Sequence, residues 1–355
     1  MTAWRALVLL CLPLGACSFL EKFGVGGDPG KAAVEAARTT LKGGDLPAGG
    51  AAMAQALADN PDSVDAAIGA AWGFFLAGQY PPADQALAAA QEKDPARRGE
   101  ILLRRALVAQ AAGDLDQVRV HAEASGLPAG MLLAAEVALA DGERDAAAPL
   151  LETASSAIDP VIAATARSYL TLLRDADPRV QGLCEAQALW ALGERRVAVR
   201  SVEELVKSLP DDSDDSGSSN KAEQLLVWAG RAAAAGESLV ASNLVESIDF
   251  PPAGQQWRVI ATRAIVACSE GDAPRCEELL ASVENGAPPD GIRDARATAA
   301  ILLAARDPAA AARIAGSDPS PVVARALQEA GQGRDAAALA GSGPYARFLS
   351  AGGGS

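Results

Sequence analysis

From Gly78 to Pro95 the chain reads GQYPPADQALAAAQEKDP. Apolar residues at Ala83, Leu87 and Ala90 recur three and four apart between polar positions. That period places them on one face of a helix. The stretch is bounded by Gly78 and Pro95, and both residues stop helices. Gly adopts backbone conformations that other residues resist, and Pro lacks the N–H that a continuing helix needs. The pattern therefore predicts a helix between the two marks. Long Ala/Leu/Arg/Glu segments broken by Gly, Asp and Pro extend the same reading along the chain and predict an all-α protein.

The segments repeat. Sliding the stretch back by 34 residues sets Gly78 on Gly44, Tyr80 on Leu46, Ala83 on Gly49, Leu87 on Met53, Ala90 on Ala56 and Pro95 on Pro61. Gly113-Asp114-Leu115 repeats the turn 35 residues further on, and Gly142 repeats it after 29, followed by Ala147, Leu151 and Ala154. Gly193 leads Ala198, Val202, Leu205 and Pro210, and Gly271 leads Cys276, Leu280, Val283 and Pro288. Looser copies surround Gly236 and Arg306-Asp307, and a weaker one sits at Gly331 or Gly333. The spacing slips between Gly142 and Gly193, where an additional helix is predicted at about 160–174.

Small residues at Ala37, Ala71 and Ala264, Gly at the turn, and a large apolar residue in each second helix resemble the tetratricopeptide repeat (TPR), a 34-residue helix–turn–helix unit. The resemblance is good over 30–160 and looser after that. It implies an α-solenoid of TPR-like repeats over 31–210 and 221–343, with an acidic linker at 211–220 and a flexible tail at 344–355. One such hairpin cannot bury its apolar face alone, so neighbours must stack.

The N-terminus stands apart from the repeats. MTAWRALVLLCLPLGACSFL carries one charge, Arg5, before Glu21, and its apolar run is too short to span a bilayer. It reads as a signal peptide over 1–16. Leu14-Gly15-Ala16-Cys17 resembles the lipobox of bacterial lipoproteins. The resemblance implies that Cys17 becomes the diacylated N-terminus, with 17–30 as a lipidated tether. Ser18, where Asp would signal retention, implies the outer membrane. Acidic residues exceed basic ones, 45 to 31, for a formal net charge of −14. That balance argues against nucleic-acid binding and against electrostatic docking on anionic lipid. The membrane is expected as a partner only through the lipid.

Little in the chain points to catalysis. His121 is the one histidine, so neither a zinc site nor a Ser–His–Asp arrangement is expected, and no cofactor is expected. GVGGDPGK at Gly24–Lys31 fails as a phosphate loop: Val25 stands at its first Gly and Ala32 in place of Ser or Thr. Asp212, Asp214, Ser216 and Glu223 partly match a calcium loop, with Gly217 at its turn, but an acidic flexible linker accounts for them better. Cys268 and Cys276 flank the Gly271 turn, one on each predicted helix, close enough for a possible disulfide; Cys184 is expected as a buried thiol.

The TPR resemblance implies a concave groove lined by first helices. The positions that map to it and were selected as partner-binding candidates are Ile68, Trp72, Phe75, Leu76, Leu103, Arg104 and Leu107. Trp72 and Phe75 are its candidate anchors, against the alternative that both pack in the core. The reading is a non-catalytic scaffold that binds a partner peptide or helix of the envelope. Two alternatives stand beside it: a ligand-sensing or enzyme-accessory protein, which needs convergent polar residues in a pocket, and a purely structural envelope component.

Overall fold

The computed structural model describes residues 29–42, 46–76, 78–209, 221–248, 254–284, 286–304 and 306–316. Among them lie seventeen α-helices, one 3₁₀ turn at Pro95–Arg97 and no strand. Helices α1 (Pro29–Lys42) and α2 (Leu46–Asp59), α3 (Val64–Leu76) and α4 (Tyr80–Lys93), α5 (Arg98–Ala112) and α6 (Leu115–Ser125), and α7 (Pro128–Ala140) and α8 (Arg144–Ser155) pair as four hairpins. Helix α9 (Pro160–Leu173) follows, at the extra helix that the slipped spacing predicts. Four more hairpins are α10 (Pro178–Leu192) with α11 (Arg195–Lys207), α12 (Lys221–Ala234) with α13 (Ser238–Glu246), α14 (Gln256–Glu270) with α15 (Ala273–Val283), and α16 (Pro289–Ala304) with α17 (Pro308–Ala315). None of these helices is long and apolar enough to cross a membrane. The fold is an all-α solenoid of TPR-like hairpins in two compact units, one running to Leu170 and the other from Thr171.

The turns follow from two residues. At the end of α5, Gly113 adopts φ +78°, which side chains disfavour. Its N–H donates to the Gln110 carbonyl at 3.1 Å, and the Asp114 N–H reaches back to the Ala109 carbonyl at 3.0 Å. Together these bonds close a Schellman motif and satisfy carbonyls that the helix end leaves open. The Asp114 carboxylate then accepts from the Gln117 N–H at 3.1 Å and caps α6. One dipeptide thus ends a helix and starts the next. Gly271-Asp272 does the same between α14 and α15, whereas Glu143, Glu194 and Glu237 occupy the Asp position without making a side-chain cap.

The repeat positions are buried. Ala83, Ala147 and Ala198 in the second helices, and Ala71 and Ala264 in the first, have no exposed surface. Met53, Leu87, Leu151 and Val202 fill the space between neighbouring hairpins and are likewise enclosed. In unit 1 the contacts tighten to backbone distance. A Cβ on Gly73 of α3 would sit 3.0 Å from the Gly50 carbonyl oxygen of α2, and one on Gly69 would sit 2.7 Å from Val34 Cγ2 of α1. Helix α1 begins at Pro29, inside the segment expected as tether. Pro suits a first helical position, and Gly30 is buried against Ser63 and Ala66. Glu136 of α7 is fully buried, and the Tyr169 hydroxyl donates to its carboxylate at 3.4 Å.

Helical glycines therefore divide by sign. Gly230 of α12 has open space where a Cβ would go, and Gly69 does not. Gly230→Ala is expected to stabilise by about 0.5–1 kcal/mol through helix propensity. Gly69→Ala is expected to destabilise by about 1–3 kcal/mol through overpacking against Val34. Chemical denaturation of the two variants checks both signs.

Candidate functional site

In unit 1 the first helices α1, α3 and α5 carry the expected groove positions, and the structure sorts them. Phe75, Leu103 and Leu107 are buried. Phe75 packs edge to face on Tyr80 of α4, with ring centroids 5.9 Å apart. These three are core residues, so Phe75 is withdrawn as a surface anchor. The Leu76 side chain lies outside the described residues. Ile68, Trp72 and Arg104 remain partly exposed.

Trp72 is the centre of what is left. One edge of its ring rests on the cluster of Val34, Ala37, Met53 and Ala56. The Arg38 guanidinium of α1 lies over the ring, 5.8 Å from its centroid, in cation–π range. The indole N–H is buried and meets no hydrogen-bond partner among the described residues. Arg38 is also paired with Glu35 at 2.8 Å, a bond between neighbours on one helix turn that is worth little at this exposure.

An ion network runs beside the ring. Arg97 bridges Asp65 of α3 at 2.6 Å and Glu100 of α5 at 3.1 Å, and Glu100 in turn pairs with Arg104 at 3.0 Å. Burial pushes the Glu100 carboxyl up, but the Arg97 hydrogen bond and the Arg104 and Arg97 charges outweigh it and hold the group below the usual carboxylate range. Burial pulls Arg104 below its ordinary value, Glu100 restores part of the loss, and the charges of Arg97 and Arg38 add to the fall. The face thus combines an aromatic ring and three guanidiniums. Nearby, Arg105 holds Asp84 of α4 through two bonds at 2.7 and 3.0 Å. His121 of α6 is half-buried, and burial first and the Arg105 charge second lower its pKa.

The other sequence candidates fall elsewhere. Cys17, Asp212, Asp214 and Ser216 lie outside the described residues. Glu223 lies in the first turn of α12, and its carboxylate is engaged by Arg258 of α14 at 2.7 and 2.8 Å. A carboxylate held by a guanidinium is a poor twelfth-position ligand, which agrees with the preference for a linker over a calcium loop. Among the described residues no group of three or more His, Cys, Asp or Glu side chains could hold a metal ion. Cys268 and Cys276 are joined by a disulfide across the Gly271 turn, with Cα atoms 5.4 Å apart, and Cys184 is buried.

No protein-family model matches the chain, and no curated protein matches it. Among solved structures it is similar to a tetratricopeptide repeat protein from Parabacteroides merdae at 14% identity, covering 75% of this chain and 98% of that one with a TM-score of 0.30. It is also similar to the P58(IPK) TPR domain at 14% identity, covering 85% and 97% with a TM-score of 0.22. These likenesses name helical repeats and carry nothing about what this chain binds. The hairpin fold stands on the pairing and turn chemistry described above.

The Glu100 network carries a pH prediction. Its folded pKa is below the unfolded one, so the unfolded chain binds the proton more tightly and stability falls as pH drops below about 4.5 through the folded value. Glu100→Gln is expected to lower stability at pH 7, because Arg97 and Arg104 lose a counter-charge. It should also flatten the acid limb of a melting-temperature profile, read by circular dichroism between pH 3 and pH 7.

Proposed function

We propose that this chain is a non-catalytic scaffold for protein–protein interaction, held by lipid in a bacterial envelope, and that the first-helix face of unit 1 is where a partner segment docks. The observation that carries this is Trp72. A partly exposed indole, flanked by Arg38 and Ile68, offers an aromatic anchor beside a cation. The regular hairpins behind it supply a rigid platform, which lowers the ordering cost of binding.

The envelope placement rests on two features. The lipobox-like Leu14–Cys17 supports lipidation at Cys17 and, with Ser18, an outer-membrane address. The Cys268–Cys276 disulfide supports an oxidising compartment, since such bonds are rare where thiols are kept reduced. The orientation towards the periplasm follows from that reading.

Each half has its own measurement. A crosslinking pull-down from bacterial envelopes, identified by mass spectrometry, is expected to recover a partner with the wild type and to lose it with Trp72→Ala, whose circular dichroism should be unchanged. Recovery of the same proteins with both would remove Trp72 from the site. Phe75→Ala is the contrasting variant: as a core truncation it is expected to cost about 3–5 kcal/mol of stability. Labelling with a palmitate analogue is expected to mark the wild type and to vanish in Cys17→Ala; label that survives the substitution overturns the anchor.

A further inference from the structure

In unit 2, the first turn of α11 concentrates charge that local stability does not ask for. It opens with Arg195, Arg196 and Val197, and Arg200 follows one turn on. Cations at a helix N-terminus oppose its dipole, at roughly 0.3–1 kcal/mol each. No acidic residue lies in that turn, and Glu194 at the N-cap makes no side-chain cap.

Arg195 has no counter-charge. Its half-buried guanidinium rests on the Trp190 ring, 5.3 Å from the centroid, and no carboxylate or other acceptor among the described residues meets it. Burial alone lowers its pKa, with no neighbouring charge pulling it back. A partly desolvated cation without a partner is costly, and proteins normally pair one. A second cation reaches the same ring: Arg231 of α12 lies 5.5 Å from Trp190 and 4.4 Å from Trp228, and the two indoles meet edge to face at 6.5 Å. The buried Trp228 N–H has no acceptor.

The residues that follow Arg195 on α11 are exposed, basic and apolar. Arg196 and Arg200 share a single carboxylate, Glu237, at 3.6 and 2.9 Å. Glu237 is largely enclosed, whereas the two arginine side chains keep 73% and 66% of their exposure. Val197 between them is 51% exposed, and Leu239, two residues beyond Glu237, is 74% exposed. Val197 and Leu239 are thus exposed next in sequence to the Arg196–Arg200–Glu237 cluster, and Arg195 opens the same helix without a counter-charge among the described residues.

Charge narrows the occupant. A second copy seated on the same patch would bring two arginine-rich patches together, with only Glu237, already shared by Arg196 and Arg200, to offset them. An anionic bilayer is a broad surface and would meet the acidic chain as a whole, of net charge −14, whereas a short segment meets only the arginines within a screening length of about 8 Å. An acidic segment of another protein satisfies all the groups at once. We propose that this end of the α10–α11 hairpin is a second protein-docking surface for such a segment. One carboxylate pairs with Arg195 over Trp190, further acidic groups meet Arg196 and Arg200, and an aliphatic side chain covers Val197 and Leu239. The surface is independent of the Trp72 face, and either can fail without the other.

The test uses the full chain at about 0.15 M salt, where exposed charges are screened beyond roughly 8 Å. The probe is a fluorescent, end-blocked peptide of alternating Asp and Leu, read by anisotropy against the matching Asn–Leu peptide. The expected result is saturable binding of the Asp–Leu peptide, at least tenfold weaker for Asn–Leu and at least tenfold weaker for Arg195→Gln. The melting temperature of Arg195→Gln should be unchanged or higher, because a cation without a counter-ion has been removed. No binding by the wild type, or equal binding by Arg195→Gln, overturns the proposal. So does a lower melting temperature for Arg195→Gln with peptide binding retained, which makes Arg195 a packing group. Pelleting with vesicles one-third phosphatidylglycerol, or self-association in sedimentation, that is lost in Arg195→Gln also overturns it in favour of those occupants. Should Arg195→Gln not fold, the exposed pair Arg196→Gln/Arg200→Gln reads the same peptide, with weakened binding expected and unchanged binding overturning.

Discussion

The closeness of helix to helix governs this molecule. Alanine at the contact positions leaves no side chain to hold two backbones apart, and in unit 1 Gly50, Gly69 and Gly73 bring them closer still. Packing at that distance gains dispersion contacts from backbone atoms that larger residues would have kept separate. It also leaves little room for error. Met53, Leu87 and Leu151, enclosed between hairpins, must fill the one gap that small residues leave open. A chain with few aromatics can build a core this way because it shrinks the space to be filled.

Most of the fold was legible in the sequence because its signals are local and redundant. The Gly-Asp turns mark hairpin corners by backbone chemistry, and the Ala/Leu spacing marks the buried face by period. Even the slip between Gly142 and Gly193 appeared as an additional helix, α9. The site was less legible. Ile68 and Phe75 both map to first-helix groove positions, yet one is partly exposed and the other buried. Mapping to a helix face cannot distinguish the middle of a groove from its packed wall, because that depends on how the next hairpin leans. Glu223 shows the same limit for ligands. Its spacing suited a calcium loop, while its partner, Arg258, sits 35 residues away in sequence. The stack of Arg195 and Arg231 around Trp190 had no sequence signal, since it joins three helices through side chains that no motif relates.

Electrostatics on this acidic chain works through its arginines. Arg97, Arg105 and Arg258 cross-link neighbouring hairpins by gripping carboxylates, as Arg119 and Arg200 also do. Arg38 and Arg195 instead lie on indole rings. A guanidinium can do both because it is planar and weakly hydrated. The first group holds the scaffold together, and the second lies at the two surfaces proposed for recognition.

The Cys268–Cys276 bridge spans only the Gly271 corner, between residues eight apart in sequence. Its sulfurs meet as soon as α14 and α15 fold against each other, without waiting for any distant part of the chain. In a repeat array, where each hairpin resembles its neighbours, pairing the wrong helices is a standing hazard of folding. A covalent clasp inside a single hairpin fixes one correct pair early and gives the neighbouring hairpins a defined surface on which to stack.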